Sequence, residues 1–175
     1  MLSETELVEL VRKGRREGQT EMVGRYAERV FAIIVKLVPD VMDAQELTQD
    51  AFMRAFDRID SYDSRRAALS TWLCCIAYRM TLDFLKRRRA VIVPMEDSDD
   101  FSDEEIELST GREQQIQRLE EILDELADDE RMLLTLYYYD DRPLAEIAYI
   151  MGTDAKALAN RLYRLRKKLC QKLKG

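Results

Sequence analysis

The C-terminal stretch from Arg142 to Lys174 carries the side chains most suited to binding a polyanion. After Gly152 it holds eight lysines and arginines and a single acid, Asp154. Cations at this density bind phosphate groups, and polar side chains near the start of a groove-bound helix also bond to base edges. We therefore predict base contacts for Lys156, Asn160, Arg161 and Arg164, and phosphate contacts for Lys167 and Lys168.

Two successive helices must position these cations. Pro143 suits the first turn of the leading helix, Gly152 can adopt the positive φ that ends it, and Thr153 or Asp154 can cap the next. The pattern is typical of a helix-turn-helix unit whose second helix enters the DNA major groove. A helical hairpin whose cations are merely solvated is the alternative. The apolar residues recur with the period of a helix: Leu144, Ile147, Ala148 and Met151, then Leu158, Leu162, Leu165 and Leu169.

The composition excludes several other classes of function. The chain has no histidine, which removes the commonest general base, and its three cysteines lack the spacing of a zinc site or a disulfide framework. We expect no catalytic activity, no metal and no cofactor. Cys74 and Cys75 fall within an apolar helix, where packing is favoured over a redox role. With no apolar run of about 18 residues and no signal-like N-terminus, we expect a cytoplasmic protein without membrane insertion.

The net charge of −6 is unevenly distributed. Residues 91–111 contain eight acids and no cation, whereas lysines and arginines concentrate between Lys86 and Arg89 and in the last helix. Because the local field governs DNA binding, the acidic overall balance does not argue against it. We interpret residues 91–111 as a linker whose acids either stay solvated or lie on the basic helices of the free chain in place of phosphates.

The N-terminal half predicts four helices. Residues 3–6 form a capping box for the first, an apolar stripe spans 22–37 in the second, a third starts near Asp43, and a long fourth helix follows a loop over 60–69. The chain has no hairpin signal. We therefore predict an all-α fold of two small helical domains joined by an acidic linker, the C-terminal domain being a helix-turn-helix.

Successive segments of the chain resemble a bacterial RNA polymerase sigma factor of the extracytoplasmic-function (ECF) type. They are DAQELTQDAFMRAF, STWLCCIAYRMTLDFLKRRR, LDELADDERMLLTLYYYDDRPLAEIAYIMG and the basic terminal helix. The resemblance implies a region 2-like domain over residues 1–90, the acidic linker over 91–111 and a region 4-like helix-turn-helix domain over 112–175. In such factors the first domain binds the polymerase clamp and melts the minus-ten element, and the second reads the minus-thirty-five element.

The resemblance also implies roles for particular side chains. The clamp-binding set is Asp43, Glu46, Leu47, Gln49, Asp50 and Phe52. Melting requires aromatic rings for extruded bases and cations for the backbone, which gives Tyr62, Arg65, Arg66, Trp72, Tyr78, Arg79, Lys86, Arg87, Arg88 and Arg89. Trp72 lies four residues before Ile76 in the apolar stripe, so core packing is favoured for this ring. The implied partners are core RNA polymerase, promoter DNA and an anti-sigma factor.

Three positions depart from the family pattern. Arg79 stands where the family usually has Asn, Ala127 where it has Pro, and the last helix begins Lys156-Ala-Leu158 rather than with a GTV-like sequence. The promoter sequence therefore does not follow from the resemblance. Two alternatives stay open: a helix-turn-helix regulator that binds DNA without polymerase, and a sigma-like adaptor that interacts only with proteins. Residues 43–89 argue against the first, since a repressor has no use for a second basic helix.

Overall fold

The computed structural model describes residues 2–91 and 111–174, which form eight α-helices and no strand. A 3-10 turn over Ile59–Ser61 follows the third helix, and a π-helical turn over Thr135–Tyr139 continues the sixth. The all-α prediction is confirmed. Most of the acidic segment, and with it the hypothesis about its acids, lies outside the described residues. The helices are α1 (Glu4–Arg12), α2 (Arg16–Val35), α3 (Val41–Asp57), α4 (Leu69–Val91), α5 (Gly111–Asp124), α6 (Asp128–Leu134), α7 (Leu144–Met151) and α8 (Ala155–Lys174).

Short-range sequence signals set the start of α1, the end of α7 and the start of α8, as predicted. The N–H of Glu6 donates to Ser3 Oγ at 3.3 Å, and the Glu6 carboxylate accepts the N–H of Ser3 at 2.8 Å, which completes the capping box of α1. Gly152 ends α7 at a φ of 71°. Asp154 then caps α8 by accepting the N–H of Ala157 at 2.8 Å. These contacts confirm the helix-turn-helix geometry.

The third helix starts earlier than predicted. Asp40 rather than Asp43 is the capping residue, because Asp40 Oδ1 accepts the N–H of Asp43 at 2.9 Å. The helix therefore begins at Val41. The added residues Val41 and Met42 are both exposed, so they extend the apolar surface of α3 beyond the part that the sequence motif suggested.

Each domain has a buried apolar core. Helices α1 to α4 pack around one core, and α6 to α8 pack around another, as the predicted stripes require. Fully buried members of the first core include Leu7, Met22, Ile34, Leu69 and Leu73, and those of the second include Met132, Leu133, Leu136, Ile147, Ile150 and Leu158.

The two domains pack against each other, chiefly through α4 and α7. Ile33, Leu37 and Tyr78 of the N-terminal domain belong to the same buried cluster as Leu136 and Ile147 of the C-terminal domain. Burial of this apolar surface favours the closed arrangement, in which the long helix α4 and the helix-turn-helix face each other.

Polar contacts reinforce the contact between the domains. Lys36 Nζ donates to Asp140 Oδ1 at 2.6 Å, and Thr71 Oγ1 donates to Glu146 Oε1 at 3.2 Å. Both acids also pair with the buried Arg142, at 3.5 Å from Asp140 and 2.7 Å from Glu146. A buried charge is stable only when it is paired. Arg142 therefore fixes the two carboxylates that reach across to the other domain.

Candidate nucleic-acid and protein interfaces

The outer face of α8 presents a row of polar side chains to solvent. Lys156, Asn160, Arg164 and Lys167 are all exposed, while the leucines on the opposite face are buried. Positions spaced by three or four residues lie on one side of a helix. These four predicted residues are thus brought together on a single surface that is free of the rest of the domain.

Tyr163 belongs to the same surface and was not among the residues predicted from the sequence. Tyr163 is 67% exposed, because it lies off the face of α8 that carries the buried leucines. It follows Asn160 by three residues and adjoins Arg164. That spacing was the signal available in the sequence. A phenol there can donate to a phosphate oxygen and can pack on a thymine methyl group.

Two of the predicted cations of α8 instead contact the first turn of α6. Arg161 pairs with Asp129, and Lys168 pairs with Glu130 at 3.6 Å. Both pairs are partly exposed, so each contributes at most about 1 kcal/mol. DNA phosphates would therefore have to displace only weak pairs to reach these two cations.

The cations of α4 have different surroundings along the helix. Lys86 and Arg87 are exposed. Arg88 donates to Asp43 of α3 at 3.0 Å, and Arg89 pairs with Asp128 of α6 at 2.6 Å. The guanidinium of Arg79 lies against the turn of the helix-turn-helix, since a Cβ added at Gly152 would meet its Nη2 at 3.5 Å. The closed arrangement thus engages Arg89 in an ion pair with α6 and brings the exposed Arg79 beside the turn of the helix-turn-helix.

The three aromatic rings predicted to form an exposed rim for bases are buried. Tyr62, Trp72 and Tyr78 are 6%, 7% and 3% exposed. The rings of Tyr62 and Trp72 pack on each other with centroids 5.4 Å apart, and burial raises the pKa of Tyr78 to about 12. A buried ring offers no face to an extruded base. Trp72 and Tyr78 turn into the core with the apolar stripe of α4, and Tyr62 of the preceding loop packs on Trp72. In this arrangement the three rings are therefore not presented to bases, and their base-stacking role stays a prediction.

The loop before α4 presents its arginines in a defined orientation. Asp63 accepts three hydrogen bonds from Arg65, from its N–H at 3.0 Å, from Nε at 3.0 Å and from Nη2 at 2.9 Å. These bonds lower the pKa of Asp63 to about 2. Arg65 and Arg66 are both exposed, so the loop holds two cations at the surface beside α4.

The predicted clamp-binding residues separate into two groups. Glu46, Gln49 and Asp50 are exposed on α3, and Asp43 is partly exposed. Leu47 and Phe52 are buried in the core, because they lie on the opposite face of the same helix. Both support the helix from within, and Phe52 also lines an apolar groove beside α3. Their contact with the clamp stays a prediction.

An apolar groove of about 610 Å³ lies beside the acidic and amide side chains of α3. Val23 and Phe31 of α2 line one wall, and Met53 and Phe56 of α3 line the other. Met53 is exposed. An apolar patch next to polar residues is typical of a protein-binding surface. The sequence motif pointed to this helix but not to the groove.

A second apolar groove, of about 660 Å³, lies mainly in the C-terminal domain, with Lys36 of the N-terminal domain at its edge. Leu123, Leu134 and Leu169 line it, and Arg166 packs over the ring of Tyr138 with its guanidinium 5.4 Å from the ring centroid. The sequence analysis assigned no function here. The run of three consecutive tyrosines, of which Tyr138 and Tyr139 are exposed, was the available signal.

The remaining side chains with reactive or metal-binding chemistry form no site in the described residues. Cys74 and Cys75 are buried, and burial raises the pKa of both thiols, as expected for packing residues. Across residues 2–91 and 111–174, no group of three or more Cys, Asp or Glu side chains is arranged to hold a metal ion. Within the same residues, no helix is long and apolar enough to cross a membrane.

Comparisons with known proteins match both domains. The family model for Sigma-70 region 2 matches residues 22–91, and that for Sigma-70 region 4 matches residues 116–169. The ECF RNA polymerase sigma factor SigW of Bacillus subtilis is 27% identical over 95% of each chain. The ECF RNA polymerase sigma-E factor of Escherichia coli K12 is 29% identical over 98% of this chain and 95% of that one.

Two solved structures share the fold. CnrH in complex with the cytosolic domain of CnrY superimposes with a TM-score of 0.65 at 20% identity, over 96% of this chain and 95% of that one. The sigma factor RpoE in complex with the anti-sigma factor NepR, from Bartonella quintana, gives a TM-score of 0.61 at 21% identity, over 89% of this chain and 96% of that one. Both similarities extend through the two domains.

Proposed function

We propose that this chain binds core RNA polymerase with α3 and promoter DNA with α4 and α8. The chain belongs to the sigma-70 family and is an ECF sigma factor, which directs transcription initiation. The observation that carries the proposal is the division of exposed charge between helices. Cations concentrate on α4 and α8, and acids and amides on α3. Residues 1–90 form the polymerase-binding and melting domain, 91–111 the linker, and 112–175 the reading domain.

The polymerase contact uses the exposed side chains of α3. Glu46, Gln49 and Asp50 supply polar contacts, and Met42 and Met53 supply exposed apolar area on the same helix. Interfaces of this kind combine a polar rim with a buried apolar centre. Leu47 and Phe52 act from the core by holding α3 in place.

The promoter contact of the C-terminal domain uses the N-terminal half of α8. Lys156, Asn160 and Arg164 enter the major groove and read base edges, while Lys167 binds a phosphate. The groove-bound face includes these exposed side chains and is not shared with the leucines that pack inward. Arg161 and Lys168 join them only when DNA displaces the acids of α6.

The N-terminal domain holds the melted strand with cations rather than with buried rings. Arg65, Arg66, Lys86 and Arg87 are exposed and carry this contact. Arg79 is exposed as well, beside the turn of the helix-turn-helix. Arg89 is paired with Asp128 of α6 in the closed arrangement and becomes available when the domains separate. Binding to polymerase and to two separate promoter elements therefore requires the domains to open.

Both similar structures contain a bound protein partner. RpoE of Bartonella quintana is bound to an anti-sigma factor, and CnrH to the cytosolic domain of CnrY. By analogy this chain binds an anti-sigma factor. As a member of a family of transcription factors it acts through its partners without a reaction of its own, in the cytoplasm where polymerase is found.

A binding experiment tests the polymerase contact. The double variant Gln49→Ala, Asp50→Arg should no longer co-purify with core RNA polymerase, because it removes an amide and reverses a charge on the exposed face of α3. Helix content by circular dichroism should be unchanged. Glu17→Arg, an exposed position on α2, makes the same change in net charge and should leave binding intact.

The result that contradicts the proposal is undiminished binding by the double variant. Equal loss with Glu17→Arg would also contradict it, since the effect would then come from net charge and not from α3. If the wild-type chain binds promoter DNA specifically without polymerase and never binds the enzyme, the chain is a polymerase-independent regulator.

A further inference from the structure

Helix α1 lies outside the segment that matches the region 2 family model, yet it contacts the loop before α4. Glu4 Oε1 accepts the hydroxyl hydrogen of Tyr62 at 2.8 Å and the N–H of Leu69 at 3.2 Å. Arg12 donates to the carbonyl oxygen of Tyr62 at 3.2 Å. A polar cavity of about 420 Å³ lies between α1 and the loop. The hydrogen bonds of Glu4 and Arg12 bridge the two elements beside this cavity.

One carboxylate thus holds both ends of the segment that carries the exposed arginines. Tyr62 precedes Arg65 and Arg66, and Leu69 follows them. Leu69 is the first residue of α4, and its N–H is among those that have no partner within the helix. A carboxylate at a helix N-terminus satisfies that donor and also interacts favourably with the helix dipole.

The hydroxyl bond also couples α1 to the core of the N-terminal domain. Tyr62 packs on Trp72, which lies within α4, and its hydroxyl reaches outward to Glu4. Loss of the Glu4 carboxylate would leave a largely buried phenol without this acceptor. The loop would then be free to shift relative to α4, although the apolar core would remain.

We propose that Glu4 is a positioning residue for promoter opening, which fixes the loop between Tyr62 and Leu69 so that Arg65 and Arg66 meet the melted strand in one defined arrangement. The inference rests on the proposed function of the N-terminal domain. Glu4 itself contacts no DNA. Its effect is transmitted through the tyrosine hydroxyl and the backbone N–H that it binds.

Three variants and one control test the proposal in holoenzyme made with the full chain. Glu4→Ala removes both acceptor atoms, Glu4→Gln keeps a neutral oxygen acceptor, and Tyr62→Phe removes only the donor. Glu6→Ala is the matched control, because Glu6 caps α1 through Ser3 and has the same charge but is not bonded to the loop. Open-complex formation is measured on a promoter selected from a random library, as duplex and as a template already unpaired over the minus-ten element.

Glu4→Ala should slow opening of the duplex promoter about tenfold, the equivalent of one hydrogen bond to a charged group. The defect should shrink on the unpaired template, where the cost of melting is absent, and affinity for core polymerase should stay unchanged. Glu4→Gln should recover most of the rate. Tyr62→Phe should be slow, and adding it to Glu4→Ala should cause less than the sum of the two effects.

Several results would overturn the proposal. Wild-type rates for Glu4→Ala would do so, and so would an equal defect in Glu6→Ala, which would trace the effect to the stability of α1. A defect of the same size on duplex and unpaired templates would place the fault outside melting. If wild-type holoenzyme opens no promoter, the proposed function fails first, and that outcome is distinguished by the wild-type arm alone.

Discussion

Reversing the charge of Lys36 should open the two domains of the free chain. Lys36 Nζ lies 2.6 Å from Asp140 Oδ1 across the domain contact, and the two side chains are only 19% and 24% exposed. Lys36→Gln removes a charge-assisted hydrogen bond worth about 1.5–3 kcal/mol. Lys36→Glu adds repulsion that reaches about 4 kcal/mol for charges 4 Å apart at an effective dielectric constant near 20. Rotation of the new carboxylate into solvent reduces this figure.

The assay is small-angle scattering of the free protein, with promoter binding as a second measurement. A compact chain of this length has a radius of gyration of about 16 Å. We expect the wild type to lie near that value, Lys36→Gln to rise slightly, and Lys36→Glu to rise most. Because separation of the domains frees Arg89 from Asp128 and moves the helix-turn-helix away from Arg79, affinity of the free chain for promoter DNA should increase in the same order.

The control is Lys13→Glu, which makes the same charge change at an exposed position of the first domain. Lys36 also follows the last residue of α2, so its reversal costs about 0.3–1 kcal/mol of helix stability, which thermal unfolding will report. If the radius of gyration and the DNA affinity of Lys36→Glu equal those of Lys13→Glu, the contact between Lys36 and Asp140 does not hold the domains together.

Three further predictions concern the helix-turn-helix and the thiols. Asn160→Ala should lose about 1–3 kcal/mol of DNA-binding free energy at one promoter position. Lys167→Ala should instead weaken binding to all sequences alike and reduce the slope of log K against log salt concentration by about 0.9. Titration of labelled duplexes measures both. Asp129→Asn should release Arg161 and tighten DNA binding up to about fivefold at low salt; no change relative to an exposed acid neutralised elsewhere would contradict the competition. Ellman's reagent at pH 8 should modify Cys170 rapidly and the two buried thiols only on unfolding, since burial raises the pKa of both; three fast thiols would refute the packing role.

Features encoded within a few residues were predicted well from the sequence. The period of Leu158, Leu162 and Leu165 identified the buried face of α8, and Gly152 and Asp154 identified the turn before it. Each of these signals depends on neighbours three or four positions away. The order of motifs also led to the correct family, because two domain patterns had to occur together.

The sequence motifs did not determine which of their side chains face solvent and which face the core. Leu47 and Phe52 lie in the same helix as Glu46 and Gln49 but on its buried face. A motif marks a stretch of chain, whereas a surface needs one side of a helix. The same distinction separates the exposed Tyr163, which was missed, from aromatic rings of α4 that turned inward.

The sequence also did not determine the contacts between distant parts of the chain. Lys36 and Asp140 are 104 positions apart, and Glu4 and Tyr62 are 58 apart. Neither pair leaves a periodic trace, because residues so far apart in the chain have no characteristic spacing and many polar side chains are possible partners. The position of Arg79 beside the turn of the helix-turn-helix likewise needed the structure to reveal it.

The most direct test of the central claim is reconstituted transcription. Purified bacterial core RNA polymerase, with and without this protein, is given a library of templates with randomised minus-ten and minus-thirty-five elements, and the transcripts are sequenced. We expect transcripts from a defined subset of templates that share both elements, only when the protein is present, and none with Gln49→Ala, Asp50→Arg. Promoter-specific binding without polymerase and without any transcript would contradict the account.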